Sequence, residues 1–165
     1  MISPPIRAYV GLGGNIGDVE TTLAEAMWSI DSLPQTSIRA QSRFYRTPPW
    51  GRTDQAIFIN AVVELQTRLA PRVLLNFLLD VETRFGRQRS EGEKWGPREL
   101  DLDLLTYGEE LIDEPGMHLP HPRLHERAFV LVPLAEIAST MEIPGLGRVA
   151  DLLAGIGTDG IEVIE

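Results

Sequence analysis

Residues 97–105 read PRELDLDLL, with Leu100, Leu102 and Leu104 alternating with Glu99, Asp101 and Asp103. Alternation at this period predicts a strand with one apolar face. The same period recurs over residues 57–67, IFINAVVELQT. There Ile57, Ile59, Ala61, Val63 and Leu65 form one set, and Phe58, Asn60, Val62 and Glu64 the other. The first set is expected to face the core, which leaves Phe58 and Asn60 on a face open to a ligand. RAYVGLGG (7–14) predicts a strand running into a glycine loop, and the polar-rich SIRAQSRFYRT (37–47) predicts another strand.

Helical spacing separates these segments. Leu23, Met27, Ile30 and Leu33 recur every three or four residues, with Asp18 placed as an N-cap and Pro34 after the end. Leu74, Phe77, Leu78, Val81 and Phe85 form a second stripe. Pro71 opens it, and Gly86 suits its C-terminal cap. Residues 48–55, PPWGRTDQ, read as a loop. Beyond the Asp-bearing strand lie a turn at Tyr107 and Gly108, a loop rich in Pro and His, and a helical AFVLVPLAEIA (128–138). A short helix near Asp151 and an edge strand in IEVIE (161–165) follow. Strand, helix, strand, strand, helix, strand is the order of a ferredoxin-like βαββαβ core. The expected class is therefore α+β, a mainly antiparallel sheet with helices on one face, plus C-terminal additions. No repeat or linker divides the chain, so residues 1–165 are expected to form one domain.

Composition narrows the function. There is no cysteine, which removes disulfides, thiolate metal sites and cysteine nucleophiles. The first residues carry no basic leader and no long apolar run, so a cytoplasmic protein without a membrane segment is expected. A net charge of −9 argues against a general nucleic-acid binder. Against that background, Arg84, Arg87, Arg89, Lys94 and Arg98 cluster with only Glu91 and Glu93 among them. Such a segment is either a local anion site or a solvated loop.

The two aspartates pose the sharpest question. Side chains two apart on a strand share a face, so Asp101 and Asp103 stand roughly 6–7 Å apart. Like charges at that distance repel by about 3 kcal/mol at an effective dielectric of about 20. Either the pair is an exposed polar face or a hard divalent cation relieves the repulsion. Mg²⁺ suits the second case, since it takes one or two carboxylates together with substrate phosphates. The glycines of GLGGNIGD (11–18) match neither phosphate-binding fingerprint, and read as a tight turn before a helix. His118, His121 and His125 stand at spacings open to zinc, but Pro120 and Pro122 break the helical register. His121 and Arg127 are better read as hydrogen-bond donors to an anion. Trp50, Phe58, Trp95 and Phe129 flank polar motifs in a manner suited to stacking on a flat ring; Phe129 is equally readable as core.

Together GLGGNIGD, SRFYRTPPWG, DQAIFINAVVEL, GRQR, WGPRELDLDLL and LPHPRLHERAFVLVPLAEIA resemble, in order and over roughly residues 7–138, the 6-hydroxymethyl-7,8-dihydropterin pyrophosphokinases of folate biosynthesis. The resemblance implies a ferredoxin-like fold and transfer of diphosphate from ATP to the pterin hydroxymethyl group, with AMP released. It implies that Asp101 and Asp103 ligate two Mg²⁺ ions, and that Arg87 and Arg98 contact the transferring phosphates. Arg89 and Trp95 would close over the substrates, and Glu82, His121 and Arg127 would serve ATP. Thr47, Pro48 and Trp50 would line the pterin site, Asn60 would anchor the ring's amide edge, and Phe58 and Phe129 would sandwich it. Phe58 replaces a frequent family Tyr, and Trp50 a smaller aliphatic residue. Small-molecule substrates, no nucleic acid, no membrane and a monomer are the implied partners and state. The rivals are a nucleotidyl transferase attacking the α-phosphorus and a non-catalytic ligand-binding module.

Overall fold

The computed structural model describes residues 4–49, 56–85 and 99–165. Its main sheet is built from β1 (Ile6–Gly14), β2 (Thr36–Gln41), β3 (Phe44–Thr47), β4 (Phe58–Thr67), β5 (Asp101–Tyr107) and β10 (Glu162–Ile164). The strand order is β10-β3-β4-β1-β5, with β2 also paired to β4, and these pairings are antiparallel. Two small hairpins, β6 (Ile112–Glu114) with β7 (Met117–Leu119) and β8 (Glu142–Ile143) with β9 (Gly147–Arg148), form separate sheets. The helices are α1 (Val19–Asp31), α2 (Pro71–Arg84), α3 (Ala128–Ala138) and α4 (Val149–Ala154).

Helix boundaries follow local chemistry. The Asp18 side chain accepts from the Thr21 N–H at 3.4 Å and from its hydroxyl at 2.8 Å, which caps α1. Pro71 occupies the first turn of α2, where a missing N–H costs no helical hydrogen bond. Gly86, the expected C-terminal cap of α2, lies outside the described residues. The buried stripes Leu23, Ala26, Met27, Ile30 on α1 and Leu74, Leu78, Val81 on α2 follow the periodic positions.

The helices do not share one face of the sheet, contrary to the expectation from element order. α1 and α2 pack with Ala8, Val10, Leu12, Ala61, Val63, Leu65, Leu102 and Leu104. α3 and α4 pack with Tyr9, Val62 and Leu105, on the other side of the same strands. The reason lies in α3, whose AFVLVPLAEIA is apolar nearly all round and needs a sheet face of its own. Val62 is buried in that second core. Ile57 precedes β4 and is 52% exposed instead of entering the core.

Two further segments differ from expectation. The Pro- and His-rich loop contains the β6–β7 hairpin, whose Met117 and Leu119 reach the first core. The polar strand of residues 37–47 is two strands, β2 and β3, along the same edge of β4. At the break, the Ser42 N–H donates to the Val62 carbonyl at 2.9 Å, and the Ser42 hydroxyl accepts from the Val62 N–H at 2.9 Å. A side chain thus substitutes for a missing ladder carbonyl. Ser42→Ala is expected to orphan that buried N–H and to lower the unfolding free energy by about 1–3 kcal/mol. Urea denaturation would show it as a lower midpoint at unchanged slope.

Candidate active site

The sheet places the candidates in rows. Asp101 on β5 pairs with Gly13 on β1, Gly13 with Asn60 on β4, and Asn60 with Tyr45 on β3. Asp103 pairs with Gly11, and Gly11 with Val62. Directly paired residues point to the same face, so Asp101, Asp103, Phe58 and Asn60 lie on the side of the sheet that carries α3. Adjacent strands are about 4.8 Å apart, so the backbones of Asp101 and Asn60 stand about 10 Å from one another across β1.

Gly11, Gly13 and Gly14 therefore belong to a strand, and only the residues after them turn toward α1. This corrects the reading of these glycines as a turn. A Cβ at Gly13 would collide with the Asn60 amide oxygen. The glycines leave bare backbone between an acidic edge and an amide edge. The signal is present in the sequence, since glycines two apart within a strand pattern mark close approach on one face.

On the amide side, Asn60 Nδ2 donates to Thr47 Oγ1 at 2.7 Å, and both residues are buried. Thr47 pairs with Phe58 at the end of β3, and Pro48 follows it. On the acidic side, Arg127 Nη1 lies 3.6 Å from Asp103 Oδ2, and His121 Nε2 lies 3.9 Å from Asp103 Oδ1. The Arg127 guanidinium carbon also lies 5.5 Å from the centroid of the Phe129 ring. One cation thus joins the acidic edge to an aromatic wall. Arg127 is only 7% exposed. Burial pulls its affinity for a proton below the usual arginine range, and Asp103 and Asp101 oppose that shift.

His121 is held by its backbone as well as its ring. Its N–H donates to the Leu105 carbonyl at 2.8 Å, tying the segment to β5. The Arg123 N–H donates to His121 Nδ1 at 3.2 Å, which assigns the proton of the neutral ring to Nε2, the nitrogen nearer Asp103. Burial, reinforced by Arg127, pushes its pKa from 6.5 down to about 4. His121 is thus a neutral hydrogen-bond donor at pH 7.

Glu82 approaches from the opposite side of the sheet. It is 2% exposed on α2, and its Oε2 accepts from the Leu102 N–H at 2.7 Å. Leu102 lies between the two aspartates on the edge strand β5. The carboxylate therefore fixes the backbone from which both aspartates project, a role that helical periodicity alone does not reveal. Arg87, Arg89, Lys94, Trp95, Arg98 and Trp50 lie outside the described residues. Among the described residues, no three His, Asp or Glu side chains form a metal-holding group.

The 7,8-dihydro-6-hydroxymethylpterin-pyrophosphokinase (HPPK) family model matches residues 9–139, which include every candidate named above. The chain belongs to the HPPK family. It is 46% identical over 159 residues to the 2-amino-4-hydroxy-6-hydroxymethyldihydropteridine pyrophosphokinase of Methylorubrum extorquens, covering 96% of this chain and 99% of that one. The protein of the same name from Pseudomonas aeruginosa is 41% identical over 156 residues, covering 94% and 95%. Among solved structures, an HPPK-DHPS in complex with substrates superposes with a TM-score of 0.71 at 11% identity, over 92% of this chain. The wild-type Plasmodium falciparum HPPK-DHPS with STZ-DHP gives 0.73 at 12% identity over 91% of this chain. This HPPK-family chain spans 43% of the length of each of those two chains, and the likeness to them is one of fold.

Two outcomes are expected from this geometry. Glu82→Ala should lower the unfolding free energy by about 1–3 kcal/mol by orphaning the Leu102 N–H, whereas Glu82→Gln keeps a carbonyl acceptor and should cost less. Chemical denaturation of both variants checks the difference. For His121, the unfolded ring takes a proton near pH 6.5 and the folded ring only near 4. The stability it contributes is complete above the unfolded pKa and is lost as pH falls through that window. His121→Gln should therefore show a flatter loss of stability between pH 6.5 and 4 than the wild type.

Proposed function

We propose that the acidic and amide edges are the two halves of one pyrophosphokinase site. The chain transfers a pyrophosphoryl group from ATP to 6-hydroxymethyl-7,8-dihydropterin in folate biosynthesis, the activity of its family. The observation that carries the site assignment is the row Asp101, Gly13, Asn60, flanked by Asp103 with Arg127 and His121. An acidic edge suits a metal-bound triphosphate, and the buried Asn60–Thr47 pair suits the hydrogen-bonding edge of a flat heterocycle.

In this reading Asp101 and Asp103 hold Mg²⁺, two ions in all. The donor set fits, because hard carboxylate oxygens match a hard cation that takes its remaining ligands from phosphate and water. When bound, the metal neutralises phosphate charge and makes the phosphorus more open to attack. Arg127 and neutral His121 donate hydrogen bonds to phosphate oxygens, joined by Arg87, Arg98 and Arg89, with Trp95 closing over the substrates. Glu82 acts from beneath by holding the Leu102 backbone. Thr47, Pro48 and Trp50 line the pterin site, Asn60 anchors the ring, and Phe58 and Phe129 sandwich it. The hydroxymethyl oxygen bonds to the β-phosphorus and gives up its proton to water or a phosphate oxygen, the bond from that phosphorus to the α–β bridging oxygen breaks, and AMP leaves with that oxygen. Catalysis of this kind rests on positioning and charge stabilisation.

The antiparallel order β3-β4-β1-β5, with α1 and α2 on one face, supports a ferredoxin-like core carrying C-terminal additions. No helix among the described residues is long and apolar enough to cross a membrane. We take residues 1–165 as one domain, acting as a cytoplasmic monomer on small-molecule substrates and not on nucleic acid.

Incubation with Mg-ATP and 6-hydroxymethyl-7,8-dihydropterin should yield AMP and pterin diphosphate in equal amounts. Release of free diphosphate with a nucleotidylated pterin would overturn the reading. Asp103→Ala should reduce kcat by at least about 1,000-fold, on the order of 4 kcal/mol in the barrier, with the fold retained by circular dichroism. A variant within tenfold of wild type would contradict the metal assignment.

A further inference from the structure

The C-terminal segment meets the proposed pterin wall at two places. β10 pairs with β3 through Glu162 and Arg46, Val163 and Tyr45, and Ile164 and Phe44. β3 ends at Thr47, the hydrogen-bond partner of Asn60. Ahead of β10, the Ile161 N–H donates to the Thr158 carbonyl at 3.2 Å and closes a turn. Gly160 in that turn has φ +83°, a conformation that side chains disfavour. A Cβ there would stand 3.3 Å from Pro48 Cγ and 3.5 Å from Pro48 Cδ.

We propose that Gly160 and β10 form a positioning brace for the pterin side of the site. This rests on the reading that Thr47 and Pro48 line that side. β10 supports the outer edge of β3, and the Gly160 turn sets where the Pro48 ring lies. Gly160 is required both for the turn's backbone and for the room it leaves Pro48. The brace stands at the opposite end of the strand order from the acidic edge, so its disturbance reaches one substrate and not the other. Gly157, in the same terminal segment, has open space where a Cβ would be and no positive φ, and so serves as the internal comparison.

The test measures steady-state KM for both substrates and the thermal midpoint of the full chain, for Gly160→Ala, Gly157→Ala, Pro48→Ala and the Gly160→Ala/Pro48→Ala double variant. Gly160→Ala should raise the pterin KM about five- to twentyfold, with the ATP KM within about twofold of wild type. Gly157→Ala should leave both within about twofold. Because Pro48→Ala removes the two ring atoms that Gly160 approaches but not the backbone demand of the turn, adding Gly160→Ala to it should raise the pterin KM by a smaller factor than Gly160→Ala does in the wild type. An unchanged pterin KM in Gly160→Ala, beside a raised one in Pro48→Ala, would overturn the brace and leave the pterin-site reading standing. An unchanged pterin KM in Pro48→Ala would overturn the pterin-site reading, and the brace with it. Equal rises in both KM values with a lowered midpoint would show general loss of structure and also overturn the brace.

Discussion

Two carboxylates on one strand face, balanced by a buried guanidinium, are the constraint on which the site depends. Asp101 and Asp103 share a face because β5 alternates, and Leu102 and Leu104 hold that register by entering the opposite core. Slipping the strand by one residue would bury the acids and expose the leucines. Arg127 stands against Asp103 with little access to solvent, so its placement costs desolvation that the acidic edge offsets. Glu82 secures the same strand from below through the Leu102 N–H. The edge strand of the described sheet is thereby held to one geometry.

The rest of the site follows from what lies beside that strand. β1 contributes glycines where β5 contributes aspartates, so the β1 positions between the acids and Asn60 carry no side chain. β4 contributes Phe58 and Asn60 at the end beyond Val62, which α3 has already closed into the second core. Covering both sheet faces with helices thus does more than stabilise the fold. It delivers Arg127 and Phe129 from the start of α3 to the face that carries the acids. The acidic and amide edges stand roughly two strand spacings apart, about 10 Å.

Much of this is legible in the sequence. The alternation of residues 97–105 and 57–67 marks β5 and β4, and Asp18 and Pro71 mark the starts of α1 and α2. The family resemblance carries the activity, which periodicity alone does not. Other features require three dimensions. The second core escapes a reading of the sequence because an all-apolar helix such as α3 does not say which sheet face it covers. The break at Ser42 escapes it because a hydroxyl that replaces a ladder carbonyl leaves an ordinary strand composition. The spacing of Gly11 and Gly13 is a signal that the sequence does carry, but glycine marks turns as well as cleared strand faces, and the fold decides between them. Glu82 sits on a helix stripe among apolar residues, and only the fold reveals the N–H that justifies its burial.

If Asp101 and Asp103 bind the triphosphate through Mg²⁺, nucleotide affinity must depend on both the metal and the acids. Calorimetric titration of a non-hydrolysable ATP analogue, with and without Mg²⁺, into wild type and Asp103→Asn measures that dependence. Binding should be at least about tenfold tighter with Mg²⁺ in the wild type, and that dependence should be lost in the variant. Magnesium dependence retained in full by Asp103→Asn would contradict that binding mode.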